Sequence, residues 1–306
     1  MNRDNSKKQR IPDKRLLALS IGLGTIIVLG LIGYKTFFQT QNAKFCLKAA
    51  IIDQLSQHSP NEAFKNETTD LLRDIGFNVS YFESEAVNVT FYKELAKSAY
   101  GIIILRVHSA LRANETIVDL FTSEKYDENK YLEDQKNGLL TKGKYLFEQG
   151  SEQFYFAITP TFIENLEGSF PKSVVIAMGC WSLRLECEEM AEAFIRKGAE
   201  AYVGWTDIVF PQDTDHETAT LLEMFLAKNE TLADAVEQTK PHTYPAYGIT
   251  SGMEFYPPSV SVGNLKISDL IAEAKNSKTL TTFNNSERFP FLITNVNFKS
   301  KDFLTH

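Results

Sequence analysis

Two near-continuous apolar runs constrain this chain more than any other feature. They are Tyr100-Gly101-Ile102-Ile103-Ile104-Leu105-Arg106-Val107 and Ser173-Val174-Val175-Ile176-Ala177-Met178. A short strand that is apolar on both faces is covered on both faces, which is the situation of a central strand in a parallel sheet. Both runs stop abruptly, the first at His108-Ser109-Ala110 and the second at Gly179-Cys180-Trp181-Ser182. Two buried strands therefore deliver a histidine and a cysteine at their carboxyl ends. In open α/β sheets that edge is where ligands bind and chemistry is done.

The surrounding pattern is consistent with such a sheet. Lys44 to Ile52 predicts a first strand. Ser59-Pro60-Asn61-Glu62 predicts a helix start, with Ser59 as the cap and Pro60 at the first helical position, and Gly76 ends that helix. Phe77 to Phe82 reads as strand two, Thr90 to Ser98 as a helix and Tyr100 to Val107 as strand three. Residues 111–170 interrupt the alternation. They read as a hairpin excursion (Thr116 to Thr122 with Phe154 to Ile158), a polar stretch from Ser123 to Lys144, and a helix near Pro160 to Leu166. Beyond strand four, Glu186 to Lys197 reads as a helix and Ala199 to Trp205 as strand five. Thr214 to Ala227 is expected as a helix opened by a Thr214-x-x-Glu217 capping box, followed by a short one over Leu232 to Gln238. Thr279 to Phe298 is β-like. Strands alternating with helices predict an α/β fold with a mostly parallel sheet covered on both faces.

The amino-terminal segment is a separate matter. Leu16 to Tyr34 carries no charge and is long enough to cross a hydrocarbon core. Arg3, Lys7, Lys8, Arg10, Lys14 and Arg15 precede it. This predicts a basic cytoplasmic tail (1–15), a single-pass membrane anchor (16–38) and a main domain outside the cytoplasm. A cleaved signal peptide is the alternative. Asn-x-Ser/Thr triplets at Asn66, Asn78, Asn88, Asn114, Asn229 and Asn284 agree with that side of the membrane, and equally with ordinary turns. The formal net charge of -7 argues against a nucleic-acid partner. The three cysteines leave at least one free, and a Cys46–Cys187 bridge would free Cys180. No histidine pair has zinc spacing, so neither a metal nor another cofactor is expected.

With these residues placed, the chain resembles the caspase-like cysteine peptidase fold, nearest to its CHAT and separase branches. The resemblance runs from strand one to Thr239. It rests on the ordered set of His108, Gly179-Cys180, Gly198-Ala199 after a helix, Trp205 at a strand end, an Asp-containing loop to Asp215, and the Ala233 to Val236 helix. It implies a three-layer caspase-like domain over 44–275, followed by a β-like extension over 276–306. It also implies Cys180 as nucleophile and His108 as general base and acid, acting on a peptide or protein substrate. Backbone N–H groups of Ser109 and Cys180 would form the oxyanion hole. Asp213, Asp215 and Asp207 beside Trp205 would bind a basic side chain, giving cleavage after Arg or Lys. A helix starting soon after Cys180 would help to activate the thiol.

Two departures bear on activity: Ser109 stands where the family has Gly, and Trp181 follows the cysteine in place of small polar residues. They motivate a second expectation, a catalytically inactive peptide- or protein-binding domain. A third is an unrelated doubly wound module in which His108 and Cys180 lie far apart.

Overall fold

A computed structural model of the chain describes residues 44–113, 115–145 and 153–286. The proposed tail and anchor (1–15, 16–38) and residues 287–306 lie outside these. Among the described residues no helix is long and apolar enough to cross a membrane.

The strands are β1 (Lys48–Asp53), β2 (Asn78–Glu83), β3 (Ile102–Arg106), β4 (Ser109–Leu111), β5 (Val118–Lys125) and β6 (Leu140–Gly143), then β7 (Tyr155–Ile158), β8 (Val174–Ala177), β9 (Ala201–Trp205), β10 (His242–Tyr244), β11 (Ile249–Ser251) and β12 (Met253–Tyr256). The helices are α1 (Glu62–Asp74), α2 (Val89–Leu95), α3 (Leu132–Lys136), α4 (Pro160–Asn165), α5 (Glu189–Arg196), α6 (Pro211–Leu222), α7 (Leu232–Glu237), α8 (Val260–Gly263) and α9 (Ile267–Ser286). Six strands form one sheet in the order β12-β9-β8-β3-β1-β2. All its pairs are parallel except β12 on β9.

The two apolar runs occupy the middle of this sheet because each supplies both faces. Ile103, Leu105, Val175 and Ala177 pack with α2, α4 and α5 on one side. Ile102, Ile104, Val174 and Ile176 pack with α1, α6 and α7 on the other. Each fully buried Ile, Val or Leu contributes about 1.5–3 kcal/mol, so the alternation fixes the register as well as the burial.

Several local expectations change. Asn61, not Ser59, caps α1, its Oδ1 accepting from Phe64 N at 3.1 Å. The Ser59 carbonyl instead receives Arg106 Nη2 at 2.7 Å. Helix α6 opens at Pro211, the favoured first position. Thr214 and Glu217 therefore fall inside the helix and are buried, bonded to other elements rather than to each other. Residues after Cys180 form turns until α5 opens at Glu189, so the helix that follows Cys180 in sequence does not begin at the thiol. Residues 279–286, expected to be β-like, are instead the end of helix α9, whose Ile267, Leu270 and Ala274 pack into the core; 287–298 lie outside the described residues.

The interruption between β3 and β8 is larger than a hairpin. It is a second, antiparallel sheet in the order β4-β5-β7-β6. Asn88 and Asn229, two of the triplet asparagines, are engaged in the fold: Asn88 caps α2, and Asn229 Oδ1 accepts from Ser268 N.

Candidate active site

His108 sits between the two sheets, after β3 ends at Arg106 and before β4 begins at Ser109. Its backbone is held from both sides. Gln54 Oε1 accepts its N–H at 3.0 Å, and Phe121 N donates to its carbonyl at 2.8 Å. The ring packs on Tyr145 and Phe121, with centroids 4.9 and 6.3 Å away.

Cys180 is delivered to the same cavity by β8. Met178 N still donates to Leu105 O of β3, at 3.0 Å. Gly179 then passes so close to the β3–β4 junction that a Cβ would lie 2.6 Å from Val107 O and would overlap Ser109 Oγ. Only glycine fits this approach. Ser109 Oγ donates to the Cys180 carbonyl at 2.6 Å, tying the two strand ends together. Trp181 turns the chain with φ 55° and donates its N–H to Asp207 O at 3.0 Å.

His108, Ser109, Gly179, Cys180 and Trp181 all line one cavity of about 610 Å³. Trp181 thus borders the space without filling it. Ser109 is an ordinary β residue, so its replacement of glycine imposes no left-handed backbone. The cavity's remaining walls were missed in sequence: His58 and Leu55 after β1, Lys144 and Tyr145 after β6, the Ile208–Pro211 loop, and Tyr247 of the β10–β11 hairpin. His58 had a legible signal, because β1 ends at the same sheet edge as β3.

The expected acidic wall is elsewhere. Asp215 is buried, with Arg106 Nε and Nη2 donating to it at 2.7 and 2.8 Å. Asp213 accepts from Tyr244 OH at 2.8 Å. Asp207 Oδ1 accepts from Ile208 N at 2.8 Å. Trp205 is wholly buried and donates from Nε1 to Thr214 Oγ1 at 2.8 Å. None of the four is among the residues that line the cavity. All three cysteines are free: Cys46 precedes β1 and Cys187 follows β8, at opposite edges of the sheet, so the considered bridge has no geometry. Among the described residues no cluster of three or more His, Cys, Asp or Glu side chains suits a metal ion.

The resting pair is uncharged. Burial, with lesser contributions from His58 and Arg106, lowers His108 to about 4. Burial raises the Cys180 thiol above its ordinary value, and Asp207 adds to this, against the backbone N–H groups of Val209 and Cys180. The thiol donates to Val209 O (3.4 Å), and Val209 N donates back to Sγ (3.5 Å). Because the thiolate is the reacting form, alkylation of Cys180 by iodoacetamide is expected to rise about tenfold per pH unit from pH 6 to 9. A plateau near neutrality, measured by stopped-time mass spectrometry, would instead reveal a thiolate–imidazolium pair.

Fold and site together define a class: an α/β protein with a cysteine and a histidine facing one cavity at the carboxyl edge of a mostly parallel sheet. Thirteen chains of known structure match this one. One, the crystal structure of the Arg specific cysteine proteinase gingipain R, is similar at a TM-score of 0.39 and 12% identity, over 61% of this chain and 38% of that chain. This chain thus spans well under half of that proteinase. No family model matches the sequence, and no curated protein matches it.

Proposed function

We propose that this chain is a cysteine peptidase of the caspase-like kind, with Cys180 as nucleophile and His108 as its proton acceptor and donor. One observation carries the reading: both side chains border one cavity, on neighbouring strand ends locked together by Gly179 and Ser109. Cys180 would attack the peptide carbonyl while its proton passes to His108. His108 would then return that proton to the leaving amine, and water would hydrolyse the acyl-enzyme. The Ser109 and Cys180 backbone N–H groups are the proposed oxyanion donors. The peptidase domain spans 44–275. Residues 16–38 anchor it in a membrane, with the amino terminus cytoplasmic.

A second reading has an observation of its own. The thiol proton is engaged by Val209 O and the pair is neutral, as suits a non-catalytic peptide-binding cleft. A peptidyl acyloxymethyl ketone, which is inert toward ordinary thiols, separates the two. The peptidase modifies Cys180 in the full-length chain, as located by mass spectrometry. No modification, with Cys180 still open to iodoacetamide, leaves the binding cleft.

A further inference from the structure

We infer that the cleft receives an apolar or aromatic side chain at the substrate residue whose carbonyl meets Cys180, rather than the basic one the resemblance implied. This rests on the peptidase reading above. The wall nearest the thiol is identified by contact, since the Val209 backbone bonds Cys180 Sγ in both directions. Its neighbours on that wall are Ile208, Phe210 and Pro211. Tyr247 reaches over from the β10–β11 hairpin, its ring 6.4 Å from that of Phe210. Trp181 closes the side next to Cys180.

A guanidinium or ammonium entering this wall would shed water and meet no carboxylate, because no Asp or Glu lines the cavity among the described residues. The acids that sequence nominated are committed elsewhere: Asp215 to Arg106, Asp213 to Tyr244, and Asp207 to its own loop. An acidic side chain would likewise shed water against Ile208, Val209, Phe210 and Pro211. Phe210 and Tyr247 are exposed apolar rings at the mouth, 36% and 62% accessible, and a bound aromatic side chain would cover them.

The test uses the full-length chain in detergent and peptidyl acyloxymethyl ketones that differ only at this position, carrying Phe, Leu, Arg or Asp. The second-order rate of Cys180 modification is expected to be about 10- to 200-fold higher for Phe or Leu than for Arg or Asp. Phe210→Ala and Tyr247→Ala, both at exposed positions, are expected to lower the Phe rate more than the Arg rate, narrowing the ratio between them. Arg or Asp reacting fastest, or all four alike, overturns the inference and leaves the peptidase reading standing. If none reacts, the peptidase reading fails. Non-covalent binding of the matching peptide amides to the same chain then decides the cleft's preference: Phe tighter than Arg sustains it, and the reverse overturns it.

Discussion

Replacing His108 by alanine is expected to slow modification of Cys180 by a reactive peptidyl probe about 10²- to 10⁴-fold, the usual contribution of a positioned acid–base group. Replacing Cys180 by alanine removes modification altogether. The size of the histidine effect follows from the neutral resting pair. Cys180 keeps its proton at neutral pH because burial raises the thiol, so attack requires a base in reach at the moment the substrate arrives. His108 borders the same cavity, and burial favours its neutral form at pH 7. A packing role is separable from this one. His108 also supports Tyr145 and Phe121, so His108→Gln, which fills similar space, serves as the second variant. The proton-transfer role predicts that both variants slow the peptidyl probe while iodoacetamide, which needs only the equilibrium thiolate, reacts within a few-fold of wild type. Equal slowing of both reagents would make His108 a structural residue.

Arg106→Met is expected to cost about 3–5 kcal/mol of stability, read from urea midpoints, because it strands two buried carboxylates. Arg106 is fully buried two residues before His108. It donates to Asp53 Oδ1 at 2.7 Å, to both oxygens of Asp215, and to the Ser59 carbonyl. Tyr81 OH and Asn61 Nδ2 complete the network at the outer oxygens. It thereby joins the carboxyl ends of β1 and β3 to α6 and to the residues that lead into α1, beneath the candidate site. Desolvation already raises Asp53 despite the adjacent guanidinium, so its carboxylate cannot stay ionised cheaply once Arg106 is gone. Combining Arg106→Met with Asp53→Leu and Asp215→Leu is expected to recover most of the loss, since an apolar cluster of similar volume needs no compensation. A triple variant as unstable as the single one would show that packing, not stranded charge, sets the cost.

Much of this was legible before the fold. Runs such as Ile102–Leu105 and Val174–Ala177 state their own burial, because a strand covered on both faces has to be apolar at every position. The same logic put His108 and Cys180 at one edge, since parallel strands end on the same side. Capping was less secure. Ser59, Asn61 and Thr214 all have capping side chains, and only tertiary partners chose among them: Ser59 O went to Arg106, and Thr214 Oγ1 donates to Met178 O. The acidic wall failed for a related reason. Asp215 lies 109 positions from Arg106, and nothing local tells a carboxylate meant for substrate from one meant for a distant buried guanidinium.

The sequence alone determined a parallel α/β core, which residues fill it, and that a cysteine and a histidine share its carboxyl edge. These follow from periodicity and chain direction, which are local properties. The tertiary structure alone decided what surrounds the thiol: a turn directly after Cys180, Val209 on Sγ from the segment leading into α6, and the rings of Phe210 and of Tyr247 from the β10–β11 hairpin where acids were expected. Those choices depend on contacts between segments remote in sequence, where the free energy of one side chain is set by partners the local pattern does not name.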